Sequence, residues 1–224
     1  VAFGGNAPPA STATEEWTAN APVGAWSTGG SMNNARFAIG GFGIQTSSLA
    51  FGGETPGGTV THTEFYNGSS WTELAGDLNT SRSNLGGAGL YTAGLAFAGE
   101  VGPGPSTGAT ESWNGSSWTE VNDLNTVRYG LQGNGTQTSA LCSGGGDSPP
   151  FAAKTVNESW NGSTWTEVGD LNTARFRAGA AGADNTSAIA IGGQGTPPSR
   201  IANTESWDGS SWTEVNDLNT ARNE

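Results

Sequence analysis

The chain is short of the side chains that most often carry chemistry: its 224 residues include one His, one Cys and one Met. A lone Cys142 excludes an internal disulfide framework and any Cys-built zinc site, and leaves the compartment undecided. Basic residues are scarce too, eight against twenty acidic ones, for a net charge of −12. Such a surface repels phosphate backbones and anionic lipid, so neither nucleic acid nor a membrane is an expected partner. There is no signal-type apolar segment and no apolar run of roughly eighteen residues, which reads as a soluble chain. With Val1 first and Met32 the sole methionine, it reads as a processed product or a fragment.

Glycine is what the chain has in excess, 37 residues, with Ser, Thr and Asn filling much of the rest; apolar residues make up 33% and charged ones 12%. That is a turn-rich all-β composition. Disorder is the competing reading of so much Gly and Ser, but nine Trp and eight Phe spread along the chain argue for burial.

The segments ESWNGSSWTEVNDLNTVR (111–128) and ESWDGSSWTEVNDLNTAR (205–222) are nearly identical, and a search for further copies resolves the whole chain into five units. Arg36, Arg82, Arg128, Arg175 and Arg222 recur every 46 or 47 residues, and Trp26, Trp71, Trp118, Trp165 and Trp212 keep the same beat. Within each unit, short runs of period two are separated by turn signals, which predicts four strands. After each Arg comes a Gly-rich segment, then an alternating run closing on Gly, as in SLAFGG, GLAFAG, ALCSGG and AIAIGG. Cys142 occupies the small-residue slot of one such run and is expected to be buried filler. The last two strands are the E-x-W and W-T-E segments, joined by Asn-Gly or Asp-Gly, a strong hairpin signal because both residues tolerate positive φ.

Four antiparallel strands in a repeat of about 47 residues predict a β-propeller. The order Arg, apolar strand ending in Gly-Gly (Gly52-Gly53, Gly144-Gly145, Gly192-Gly193), aromatic, Trp resembles the kelch repeat over nearly the whole chain; Ala98-Gly99 departs from the double glycine. The wording W-T-E-V-N-D-L-N-T is also similar to repeats of virion structural and tail-fibre proteins of marine phages, which implies a setting and no catalytic residue. The expected architecture is one domain of five blades: blade 1 at 1–28 plus 222–224, blade 2 at 36–74, blade 3 at 82–121, blade 4 at 128–168 and blade 5 at 175–215. Blade 1 is expected to be incomplete, or closed by the C-terminal end.

Most acidic residues fall at repeat positions, among them Glu64, Glu111, Glu158 and Glu205, and five of the basic residues are the repeat arginines. An active site needs unlike groups converging on one centre, whereas a group copied into every blade is spread around a ring. These Arg, Glu and Trp residues are therefore expected to be structural. No catalytic residue, metal or cofactor is assigned. His62 alone cannot supply the ligand set of the galactose-oxidase-type copper enzymes built on kelch repeats. SWDGSSW (206–212) resembles the Asp box of sialidase propellers with one residue missing, and no arginine triad or nucleophilic tyrosine accompanies it. Gly-x-Gly stretches near 87 and 133 adjoin strands, not helices, so they do not cradle phosphate.

What is not repeated is the connection after each Gly-Gly strand, and in kelch-like topology all of these emerge on one face with the D-L-N-T turns. A rigid scaffold with one variable face suits a binding protein. Phe151, Lys154, Arg200 and Ile201, on DSPPFAAK (147–154) and PPSRI (197–201), are the candidate binding residues. The function expected is a non-enzymatic structural or recognition propeller, virion-borne or extracellular, part of a larger assembly and binding a protein or glycan through that face. The alternative is a carbohydrate-binding or carbohydrate-active propeller, lectin- or sialidase-like.

Overall fold

A computed structural model describes the backbone of residues 2–3, 14–18 and 25–27, and complete residues over 28–102, 104–147, 152–196 and 199–223. It is all-β, with no helix among the described residues. Four antiparallel sheets of four strands follow one another along the chain, each in simple sequential order. The first comprises Gly40–Ile44, Ser47–Phe51, Thr63–Tyr66 and Trp71–Glu73. The other three open on Gly86–Leu90, Gln132–Thr136 and Gly179–Asp184. These four opening strands lie beside one another in succession, so the sheets are the blades of a β-propeller with its innermost strands around the axis.

The expectation of five blades is corrected to four. The first repeat forms a three-stranded sheet of Ala2–Phe3, Thr14–Thr18 and Ala25–Thr28. These match the second to fourth strands of the other repeats, and among the described residues nothing occupies the innermost position. In every complete blade that innermost strand starts four residues after the repeat arginine, Arg36 to Gly40 and Arg82 to Gly86 for example. Residues 222–223, expected to close blade 1, are too near Arg222 to begin such a strand and carry none; Glu224 lies outside the described residues.

Glycine in the innermost strands is a packing requirement. A Cβ on Gly40 would stand 2.4 Å from the Phe51 ring, and one on Gly86 2.5 Å from the Phe97 ring. Each Phe lies over a glycine of its own blade and meets a tryptophan of the next, Phe51 with Trp118 at 5.0 Å and Phe97 with Trp165 at 4.9 Å, both edge-on. Edge-to-face packing of this kind adds roughly 0.5–1.5 kcal/mol beyond burial. At the hairpin, Trp113 faces Trp118, Trp160 faces Trp165 and Trp207 faces Trp212, with centroids 5.2, 5.3 and 5.4 Å apart. The core is thus a run of similar clusters between blades.

The connections sort to opposite ends. At one end the Asn-Gly and Asp-Gly turns lie against the tight turns between the first two strands, Gly68 beside Thr46 and Gly115 beside Thr92. At the other end the variable loops bond to the D-L-N-T turns, as in Leu78 N–H to the Thr61 carbonyl and Leu124 N–H to that of Gly108. Three variable loops form small hairpins there: Glu54–Thr55 with Gly58–Thr59, Gly146–Asp147 with Ala152–Ala153, and Gln194–Gly195 with Ser199–Arg200.

Candidate functional site

The repeated charges form a frame. Arg36, Arg82, Arg128 and Arg175 are fully buried and pair with Glu64, Glu111, Glu158 and Glu205 of the same blade, at 2.9, 2.7 and 2.5 Å for the first three. In three of the four, Nη1 also donates to two carbonyls, for example Gly52 and His62 for Arg36. The other carboxylate oxygen accepts from the asparagine of the preceding turn, Glu111 from Asn79 N–H at 2.7 Å and from its Nδ2 at 2.8 Å. One buried carboxylate therefore ties the third strand of its blade to the linker from the blade before. Burial pulls the Arg36 and Arg82 pKa values below the usual guanidinium value, and the facing glutamates oppose the shift. A buried pair held by this many bonds fixes geometry; removing one partner strands the other charge.

Arg128 differs because its blade carries Cys142 where the others carry alanine. Its Nη2 donates to the Cys142 Sγ at 3.0 Å as well as to the carbonyl. Cys142 is buried as expected, and burial pushes its thiol pKa up to about 11, against the pull of Arg128. His62, half-exposed, has Nδ1 3.3 Å from the Glu73 carboxylate and 3.8 Å from that of Asp77. Arg222 departs from the frame: its backbone carbonyl accepts from Gly193 N–H as its counterparts do, but its side chain is exposed and, among the described residues, donates only to the Thr220 carbonyl.

On the loop face the structure describes three of the four candidate binding residues. Phe151 lies outside the described residues. Lys154 is held by Asp147 of its own loop, Nζ to Oδ2 at 2.8 Å, so its charge is locally neutralised. Arg200 is exposed and its Nε donates to Asn223 Oδ1 at 3.0 Å. Ile201 is half-buried, its N–H on the Gly193 carbonyl. The two loops do touch, through Ala153 N–H donating to Thr196 Oγ1 at 2.8 Å.

A constellation not foreseen from sequence lies where the chain enters the innermost strands. Ala38, Asn84, Gly130 and Arg177 hold equivalent positions two residues after the repeat arginines, all with left-handed backbone, φ 53°, 53°, 59° and 49°. Their amides link blade to blade: Asn84 N–H to Ala38, Gly130 N–H to Asn84, Arg177 N–H to Gly130, each 2.8 Å to the carbonyl. Only glycine adopts this conformation freely, and another side chain there costs about 1–3 kcal/mol. From blade 5, Arg177 reaches past blade 4 to blade 3, its Nη2 3.2 Å from Asn84 Oδ1, with the guanidinium 4.9 Å over its neighbour Phe176. Asn84 Nδ2 in turn donates to Glu100 Oε2 at 2.9 Å. Burial raises the Glu100 pKa, opposed by the Asn84 bond and the Arg177 charge. The one sequence signal was that Arg177 is the third basic residue off the repeat positions, with Lys154 and Arg200.

No family model matches the chain, and no curated protein does either.

Proposed function

We propose that this is a non-enzymatic, kelch-type propeller that works as a recognition or structural module, taking a protein or glycan partner on its variable-loop face. What supports the reading is the division of labour in the molecule. Repeated ionic groups are buried and paired with one another, and the loops that differ most in wording from repeat to repeat are gathered at one end. Side chains spent on holding strands together offer no reacting centre, while loops on a rigid frame vary without disturbing it. The similarity of the repeat wording to phage virion proteins makes a virion or extracellular assembly the setting we favour.

The test is a glycan array and a random-peptide display library, each probed with the parent and with a variant whose loops 147–153 and 195–200 are replaced by short glycine-serine turns. Hits that vanish in a variant of unchanged melting temperature are expected. Hits retained by that variant would move binding off this face, and turnover of small glycosides would contradict the non-enzymatic reading in favour of a carbohydrate-active one.

A further inference from the structure

The loop face has one cation that the fold places at its axis at a conformational cost. Arg177 occupies a left-handed position that glycine fills in blade 4, and its side chain reaches past that blade to Asn84 of blade 3. That single contact uses Nη2. Among the described residues Nε and Nη1 meet no acceptor, which leaves one edge of the guanidinium fork open. The planar ring of Phe176 supports the group from beneath, and Phe176 is itself fixed edge-on by Tyr129 at 4.9 Å. Gly130 has to be glycine for this, since a Cβ there would fall 2.1 Å from the Phe176 ring. Of the other off-repeat bases, Lys154 is paired with Asp147, and Arg200 lies exposed on the rim with its Nε on Asn223.

A guanidinium held by Asn84 through one N–H of Nη2, backed by an aromatic ring and with the fork that uses the other Nη2 N–H open, has the geometry that takes a planar carboxylate through two parallel bonds. We propose that Arg177, positioned by Asn84 and Phe176, is a carboxylate-binding site at the axial mouth of the loop face. This rests on the binding reading above and names the ligand chemistry: a carboxylate, whether from an acidic amino acid or an acidic sugar.

The experiment is an NMR titration of the full chain, following the Arg177 Nε–H signal and the Asn84 and Gly130 amides. Acetate, glucuronate and N-acetylglutamate amide serve as probes, the first giving the bare carboxylate and the other two separating sugar from amino-acid sources. Saturable shifts at all three positions with at least one probe are expected. The second variant measurement is R177G, which suits the left-handed backbone: affinity should fall at least tenfold while the melting temperature stays level or rises. Absence of any saturable shift overturns the proposal, as does an R177G protein that melts lower and still binds, because Arg177 would then be a structural strut. If R177G keeps every array and library hit of the parent, the axial site is wrong while the loop-face reading stands.

Discussion

Gln132, Ser143 and Asn157 depart together from their repeat positions, and their departures compensate. In blades 2 and 3 a glycine faces a phenylalanine across the first two strands, Gly40 with Phe51 and Gly86 with Phe97; in blade 4 Gln132 faces Ser143. The long side chain has changed strands. Asn157, where blades 2 and 3 have Thr63 and Thr110, accepts from Ser143 Oγ at 2.8 Å. The exchange leaves a loss at the next blade. Trp118 and Trp165 donate Nε1 to Thr63 and Thr110 at 3.0 and 3.1 Å, but among the described residues Trp212 Nε1 is buried without a partner, and so is Gln132 Oε1. An unsatisfied buried group costs about 1–3 kcal/mol. Asn157→Thr alone is expected to stay within about 1 kcal/mol of the parent, because the acceptor it gives Trp212 is offset by the loss of the Ser143 Oγ and Gly169 carbonyl bonds. The triple change Gln132→Gly, Ser143→Phe, Asn157→Thr should gain more, since it also restores the edge-on ring contact. Urea unfolding measures both, and a triple variant less stable than the parent would show that the seam between blades 4 and 5 is not underpacked.

At the scale of the element, the outer hairpins owe their shape to one side-chain oxygen. Asn67 Oδ1 accepts from Ser69 and Ser70 N–H, both 2.9 Å, and the turns at Asn114 and Asn161 repeat this. Asp208 does the same work as a carboxylate, accepting from Ser210 and Ser211 N–H at 2.9 and 2.8 Å. The Ser211 N–H bond, followed by those from Ser210, holds its pKa down at about 2. Because the folded pKa is depressed, the stabilisation is present above the unfolded value near 3.9 and is lost as the pH falls through about 2. NMR titration should find Asp208 at about 2; an ordinary value near 3.9 would mean the turn bonds are not made in solution. In the innermost strands the constraint is space. A Cβ on Gly133 would meet the Phe97 ring at 2.5 Å and the Gly87 carbonyl at 2.6 Å. Gly133→Ala is therefore expected to cost about 1–3 kcal/mol by overpacking, measured by thermal or urea unfolding, and a neutral result would mean the strands move apart freely.

At the scale of the whole molecule, what was legible in the sequence is what recurs at a fixed offset. Arg82 pairs with Glu111, and Trp118 packs on Phe51, through contacts copied from unit to unit, so the period of 46 or 47 residues announces them. Arg177 with Asn84 joins residues of two non-adjacent blades and is made once, so no periodicity points to it. Blade count is likewise a property of how the ends meet, which the repeats do not encode; hence five were expected where four complete blades and a three-stranded sheet stand. The central claim is that the buried arginine–glutamate pairs are the frame and that chemistry with partners belongs to the loops. Urea unfolding of Arg82→Ala beside Arg222→Ala tests it most directly, because the two residues share a repeat position and differ in burial. Arg82→Ala is expected to lose about 3–5 kcal/mol by stranding the Glu111 carboxylate, and Arg222→Ala to stay within about 0.5 kcal/mol of the parent. Equal losses at both positions, or an Arg82→Ala protein as stable as the parent, would contradict it.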